Sequence, residues 1–393
     1  MEIRSMQVKP LIRFVAAATM LAGPDVGALS ATPPPLAVEP IPAVRQLPSE
    51  FPRDWVMVHD VNAGGVNDGK IVFVDLQVPE VRAQVGAAFL ANFRYAPARR
   101  ELYVAETFYS RGHRGTRTDV ISIYDTTNLT QTGEIALPPG KRGIFVPDEG
   151  AFKLFNDDKW GLVFNFTPAA SVSVVDLINR KVLSEIETPG CAMIYPMAGR
   201  GFSTLCGDGS MLSILLDEQG KLVSSQSSAT FNNIDDDPMF MRPAMTGRTA
   251  WFVTFRGMIQ PVDLSGQVAR PGLAFAIPAQ EGGAPQWRPG GVQIVTADGA
   301  GRIYVLMNPN GREGSHKDGG TEVWLIDPLT RSLIRRIPLA TRALSIAATQ
   351  GSRPSLAVLG FDRALRVYDP ETGAISKTLQ AVGLTPYALG TLP

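Results

Sequence analysis

A run of β-forming residues stops at an aspartate seven times along this chain, at Val74-Asp75, Tyr124-Asp125, Val175-Asp176, Leu216-Asp217, Val262-Asp263, Ile326-Asp327 and Tyr368-Asp369. Successive aspartates lie 50, 51, 41, 46, 64 and 42 residues apart. Most of these spacings are at or just above the roughly 40–50 residues of one four-stranded propeller blade. A repeat of that period overrides the two or three domains that 393 residues would otherwise suggest. The expected fold is all-β: a seven-bladed β-propeller with four-stranded antiparallel blades, occupying residues 54–393.

The aspartates have a local reason. Each ends a strand and opens a turn, as in Asp327-Pro328-Leu329-Thr330 before the alternating stretch Ser332 to Ile337, and again in Asp369-Pro370-Glu371-Thr372-Gly373. A carboxylate at that place can accept hydrogen bonds from turn amides two residues onward. Seven equivalent copies cannot all be an active site, so they are assigned to turns. Upstream of several of them lie aromatic and branched stretches expected to be central strands: Leu102 to Val104, Gly161 to Phe164, Ala250 to Val253, Arg302 to Leu306 and Ser355 to Leu359. The tail around Pro386 to Leu389 is expected to close the ring by pairing beside Trp55 to Val58.

Basic and acidic residues balance at 37 each, so no global field draws the chain to nucleic acid or to an anionic membrane. A specific protein or small-molecule partner fits better. Gly 38 and Pro 31 exceed their usual combined share of about 12%, as a fold with many tight turns requires. At the N-terminus, Arg4, Lys9 and Arg13 precede an apolar stretch from Phe14 to Gly23 and small residues at Ala28, Ser30 and Ala31. This reads as an export signal over residues 1–31, its apolar run far short of the ~20 residues of a spanning helix. Residues 32–53 carry Pro33, Pro34, Pro35, Pro40, Pro42, Pro48 and Pro52 and read as an extended tether. Cys191 and Cys206 are the only cysteines. In an oxidising compartment a disulfide is expected, two buried free thiols being the alternative, and two thiols alone are too few for a structural zinc site.

The motifs of common catalysis are missing. The chain has no phosphate-cradling Gly-Lys-Ser/Thr loop, dinucleotide fingerprint, Gly-x-Ser-x-Gly elbow or His-Glu-x-x-His. His59, His113 and His316 lie in different repeats without metal-like spacing and are read as surface or turn residues. Arg111, Arg114 and Arg117, in one basic run before a strand, are a solvated loop or a partner-docking loop. Asp235-Asp236-Asp237 reads as a solvated turn, because three adjacent carboxylates do not converge on one cation in an extended chain. Phe89, Phe93 and Tyr95 alternate with small residues and default to core packing.

Four strings are more specific: GCAMIYPMAGRGFSTLCGDGS, WRPGG, NPNGREGSHKDGGTEVWLID and FYSRGHRGTRTDVISIYD. Together they resemble the heavy chain of quinoprotein amine dehydrogenases, the methylamine and aromatic amine dehydrogenase family, over nearly the whole propeller. The resemblance implies a periplasmic seven-bladed heavy subunit in a tetramer of two heavy and two light chains. It also implies that the cofactor, tryptophan tryptophylquinone, is built from two tryptophans of the small cysteine-rich light chain. This chain would then bind no cofactor or metal and hold no catalytic residue. A primary amine would be deaminated to aldehyde and ammonia, with electrons passing to a small copper protein. On that reading Trp55, Trp160, Trp251, Trp287 and Trp324 are core or interface residues. Phe89 matches a family phenylalanine at the mouth of the substrate channel, preceded by Ala87 and Ala88 where the family has glycines. The family's intrachain bridge falls on Cys191 and Cys206, and the segment CGDGSMLSILLDEQGKLVSSQS is closer to the aromatic amine branch. The competing readings are a solitary periplasmic propeller acting as a binding or scaffold module, and a propeller hydrolase holding a metal at its central channel.

Overall fold

The computed structural model describes residues 46–392 apart from 66, 89, 145–146 and 279–285. The expected signal segment lies outside the described residues, as do most of the tether and Phe89. Every regular element among the described residues is a strand or a short 3-10 turn, and no helix is long and apolar enough to cross a membrane.

The strands form six antiparallel sheets. The first joins Trp55–Asp60, Gly69–Asp75 and Glu80–Ala87 to the C-terminal strand Pro386–Thr391. Three further four-stranded sheets begin at Asn92–Ala96, Phe152–Phe155 and Cys191–Pro196, and a fifth sheet begins at Ala244–Thr246. The sixth has eight strands and breaks the expectation of four per sheet. The cause is Ser332–Ala348, a continuous 17-residue strand that pairs with Gly320–Asp327 along its first half and with Leu356–Gly360 along its second.

Burial is greatest in the middle strands of the sheets and least in the outer ones. Trp55–Asp60 and Ser171–Asp176 are buried at every residue, because each is paired on both edges within its sheet and meets a neighbouring sheet on both faces. The outer strand Leu222–Ser227 is exposed at every residue and correspondingly carries three serines and a glutamine. The expected central strands are present as Glu101–Tyr109, Trp160–Asn165, Thr249–Val253, Ile303–Asn308 and Leu356–Gly360. Core clusters lie between sheets, not within them. One packs Phe73 and Trp55 against Phe93 and Leu102, and another packs Val56 and Val72 against Ala357 and Leu365 of the last sheet.

The ring closes where the sequence places the closure. Trp55–Asp60 pairs with Pro386–Thr391, with Val58 opposite Leu389. Folding also starts before residue 54. Leu47 donates its amide to the Thr127 carbonyl at 2.7 Å, and Phe51 is buried and stacks on Trp55 and Tyr95.

All seven repeat aspartates accept a hydrogen bond from the amide two residues onward, at 2.6–2.9 Å. In six repeats the register shifts just before the aspartate, for instance between Phe73 and Val74 and between Val174 and Val175. A bulge there sharpens the local twist and turns the outer strand away. Cys191 and Cys206 face each other across neighbouring strands and form a disulfide. In the WRPGG string Gly291 sits at φ +137, where a Cβ would meet the Leu344 carbonyl oxygen at 2.6 Å, so only glycine fits.

Candidate functional site

A cavity of about 160 Å³ is lined by Met57 and His59, by Asn92, Phe93 and Arg94, by Asp148 and Glu149, by Arg242, and by Leu389. Phe93 and Tyr95, assigned to the core by sequence, are buried and also line this cavity. In its wall one carboxylate meets three cations. Glu149 pairs with Lys153, with Arg242 at 3.0 Å and with Arg94 at 3.5 Å, and Arg242 also donates to the Leu389 carbonyl at 3.1 Å. Burial alone would raise the Glu149 carboxyl, but Lys153, Arg94 and Arg242 hold it well below the usual range. Burial brings Lys153 down to about 8 against the pull of Glu149.

His59 corrects the sequence reading. It is not a surface or turn residue but is 3% exposed inside the strand Trp55–Asp60, edge-on to Phe93 at 5.5 Å. Burial lowers its pKa to about 4, so it is neutral at pH 7. His113 is exposed, and His316 stacks on Phe255 at 4.4 Å. The Asp235 to Asp237 stretch is a turn whose carboxylates point to different partners: Asp236 to Arg256, and Asp237 to the Thr254 hydroxyl and the Arg256 amide. Among the described residues no group of three or more His, Cys, Asp or Glu side chains could hold a metal ion.

The turn from Glu80–Ala87 to Asn92–Ala96 carries position 89 and runs directly into the cavity wall through Ala91 and Asn92. Phe89 itself lies outside the described residues. Its neighbours are fixed by a buried polar network. Ala88 donates its amide to Glu106 Oε2 at 2.6 Å, and the other Glu106 oxygen accepts from Ser122 at 2.5 Å. Arg142 donates to the Leu90 carbonyl at 2.6 Å, to Asn92 Oδ1 at 3.3 Å and to Thr107 at 2.9 Å. Asn92 donates in turn to the Asp148 carbonyl at 2.8 Å. The positive φ of this turn falls on Leu90, at +50, and not on Ala87 or Ala88. A non-glycine residue there is uncommon, and the Arg142 bond to its carbonyl holds it.

The basic run divides. Arg111 and Arg114 are exposed at the tip of the loop, their backbones joined at 2.9 Å. Arg117 turns inward, pairing with Asp119 and donating to the Arg142 carbonyl at 2.6 Å. Asp119 also accepts from Thr107 at 2.6 Å. Glu106, Asp119, Thr107 and Arg142 are each no more than 2% exposed. Burial pulls Arg142 down to about 10 and raises Glu106. Sequence reasoning passed over both residues. The available signal was a glutamate inside the apolar run Leu102 to Tyr109, where a charge needs partners to be tolerated. Trp55, Trp160, Trp251 and Trp324 are buried, and Trp287 packs partly buried against the core.

Comparison with known proteins supplies what geometry alone does not. The family model described as methylamine dehydrogenase heavy chain matches residues 57–392. The methylamine dehydrogenase heavy chain of Methylorubrum extorquens is 29% identical over 326 residues, covering 81% of this chain and 78% of that one. The corresponding heavy chain of Methylobacillus flagellatus is 26% identical over 379 residues, covering 95% and 92%. Solved structures agree at the level of fold. A putative 6-phosphogluconolactonase of Bacteroides fragilis superposes with a TM-score of 0.58 at 11% identity, covering 86% of this chain and 98% of that one. The Swd1 β-propeller domain of Myceliophteria thermophila gives 0.51 at 14% identity, covering 86% and 98%. The sheets therefore form a β-propeller, and the chain belongs to the methylamine dehydrogenase heavy chain family.

Proposed function

We propose that this chain is the heavy subunit of a periplasmic amine dehydrogenase, scaffolding a light chain that bears tryptophan tryptophylquinone in a two-heavy, two-light assembly. The observation that carries the reading is the family match over residues 57–392, which takes in every sheet. The quinone in the light chain would take two electrons from a primary amine, water supplying the oxygen of the aldehyde as ammonia leaves. A small copper protein would collect the electrons. This chain's share is to dock the light chain through the exposed Arg111 and Arg114 and to border amine entry with Phe89, near Ala91 and Asn92 of the cavity wall. The eight-stranded sheet counts as two blades joined through Ser332–Ala348, bringing the ring to seven. Support for that count is the burial of this strand, largely exposed over its first half and buried over its end, as an outer strand passing into an inner one would be.

Purification of the undenatured protein from its own cells, with intact masses of everything that co-elutes, tests the assignment. An equimolar small, cysteine-rich chain is expected. A chain that elutes alone would point to a solitary binding or scaffold propeller. The segment over residues 206–227 favours an aromatic amine while the relatives are named for methylamine, so activity is to be assayed with both.

A further inference from the structure

We propose that the cavity at Glu149 is a binding site for a small monocarboxylate, held by Arg242, Arg94 and His59. The charge there does not balance among the protein's own groups. Arg94 stands on Asn92–Ala96, Lys153 on Phe152–Phe155 and Arg242 two residues before Ala244–Thr246, and all three pair with the single carboxylate of Glu149. The other acid of the wall, Asp148, accepts from the Gly150 amide at 2.6 Å. His59 adds no charge, being neutral at pH 7. Three cations against two acids leave one positive charge over, where an uncompensated charge is costly. One monoanion cancels it.

Donors are left for such a ligand. Arg242 reaches Glu149 at 3.0 Å and the Leu389 carbonyl at 3.1 Å through Nη2 alone, so its Nη1 and Nε have no acceptor among the described residues. His59 Nε2 is buried and has no partner among the described residues either. The two oxygens of a carboxylate can take a charge-assisted bond from the guanidinium and a neutral one from the imidazole. Size and lining narrow the class. About 160 Å³ is roughly tenfold the ~10–15 Å³ that one water needs, which leaves room for a few non-hydrogen atoms. Met57, Phe93 and Leu389 line the same space, and they suit a carboxylate with a short carbon tail better than sulfate or phosphate, whose every oxygen needs a partner. Arg94 and Arg242 keep 20% and 13% of their side-chain surface accessible, so a small solute can reach them.

The protein purified from its own cells, with whatever accompanies it, is dialysed and titrated calorimetrically with sodium acetate and, separately, with sodium phosphate at constant ionic strength. Saturable binding of one acetate per chain is expected, with phosphate weaker. Arg242→Gln should weaken acetate about tenfold or more, the loss of one bond from a charged donor, and Arg242→Lys should recover part of it. His59→Phe, which removes the second donor, should weaken it severalfold. Arg353→Gln, at an exposed arginine of a separate cleft, should leave it unchanged. Each variant is first checked for a cooperative melt, and if Arg242→Gln fails that check, Arg94→Gln and His59→Phe carry the comparison. Absence of saturable acetate binding to the parent protein overturns the proposal whatever the variants do. Phosphate binding more tightly than acetate overturns the carboxylate class. Acetate binding that survives every cavity variant, or falls equally in Arg353→Gln, puts the anion elsewhere and overturns the site. None of these outcomes depends on a light chain being present.

Discussion

Asp176 shows how much one residue can be asked to do here. Its carboxylate accepts from the Ile178 amide at 2.9 Å, the Asn179 amide at 2.9 Å and the Asn179 side chain at 2.7 Å. Asp176→Ala strands two turn amides, and a loss of about 1–2 kcal/mol in unfolding free energy is expected, read from urea unfolding. His59 gives a pH signature. Its folded pKa of about 4 lies below its unfolded value near 6.5, so its contribution is fully present above pH 6.5 and is lost as pH falls toward 4. The loss amounts to about 3 kcal/mol, and His59→Gln is expected to flatten stability against pH between 6.5 and 4. An unaltered slope would assign the acid sensitivity to other groups. The aspartate turns were legible because side chain and partner are two residues apart. His59, Glu106, Arg142 and Glu149 were not, since their partners come from other strands and other sheets.

At the scale of elements, local pattern and long-range pairing part company again. Strand ends followed from composition, whereas the merging of two strand runs into Ser332–Ala348 did not, because nothing between Pro338 and Ala343 interrupts the chain with a glycine or second proline. The disulfide joins neighbouring strands across a separation of 15 residues. Cys191→Ala with Cys206→Ala is expected to lower stability by about 3 kcal/mol, read as a lower denaturant midpoint. The C-terminal strand carries more. Deleting residues 386–393 removes Leu389 and Leu392 from the core and leaves the inner edge of Trp55–Asp60 unpaired. The expected outcome is an aggregating chain, seen by light scattering, with rapid amide exchange in Trp55–Asp60. A monomeric, well-protected product would mean that the ring is held without its closing strand.

For the molecule as a whole, stability is a property of the ring: core clusters sit between sheets, the last sheet packs on the first, and Glu149 draws together Arg94, Lys153 and Arg242 from distant parts of the chain. Such an object presents loops on a rigid scaffold, the usual setting for binding and catalytic residues. The repeat made the propeller readable from sequence, and the resemblance gave its family. The role of Phe89 was read from the resemblance alone, and the buried bonds that hold its neighbours Ala88 and Leu90 emerged only from the fold. The most direct test of the account is anaerobic addition of methylamine, then of an arylalkylamine, to the complex purified from its own cells while the visible absorbance of its quinone is followed. Bleaching by at least one amine, with one aldehyde formed per quinone reduced, is the predicted result. A complex that binds its partner yet shows no quinone absorbance and no change with either amine would contradict it.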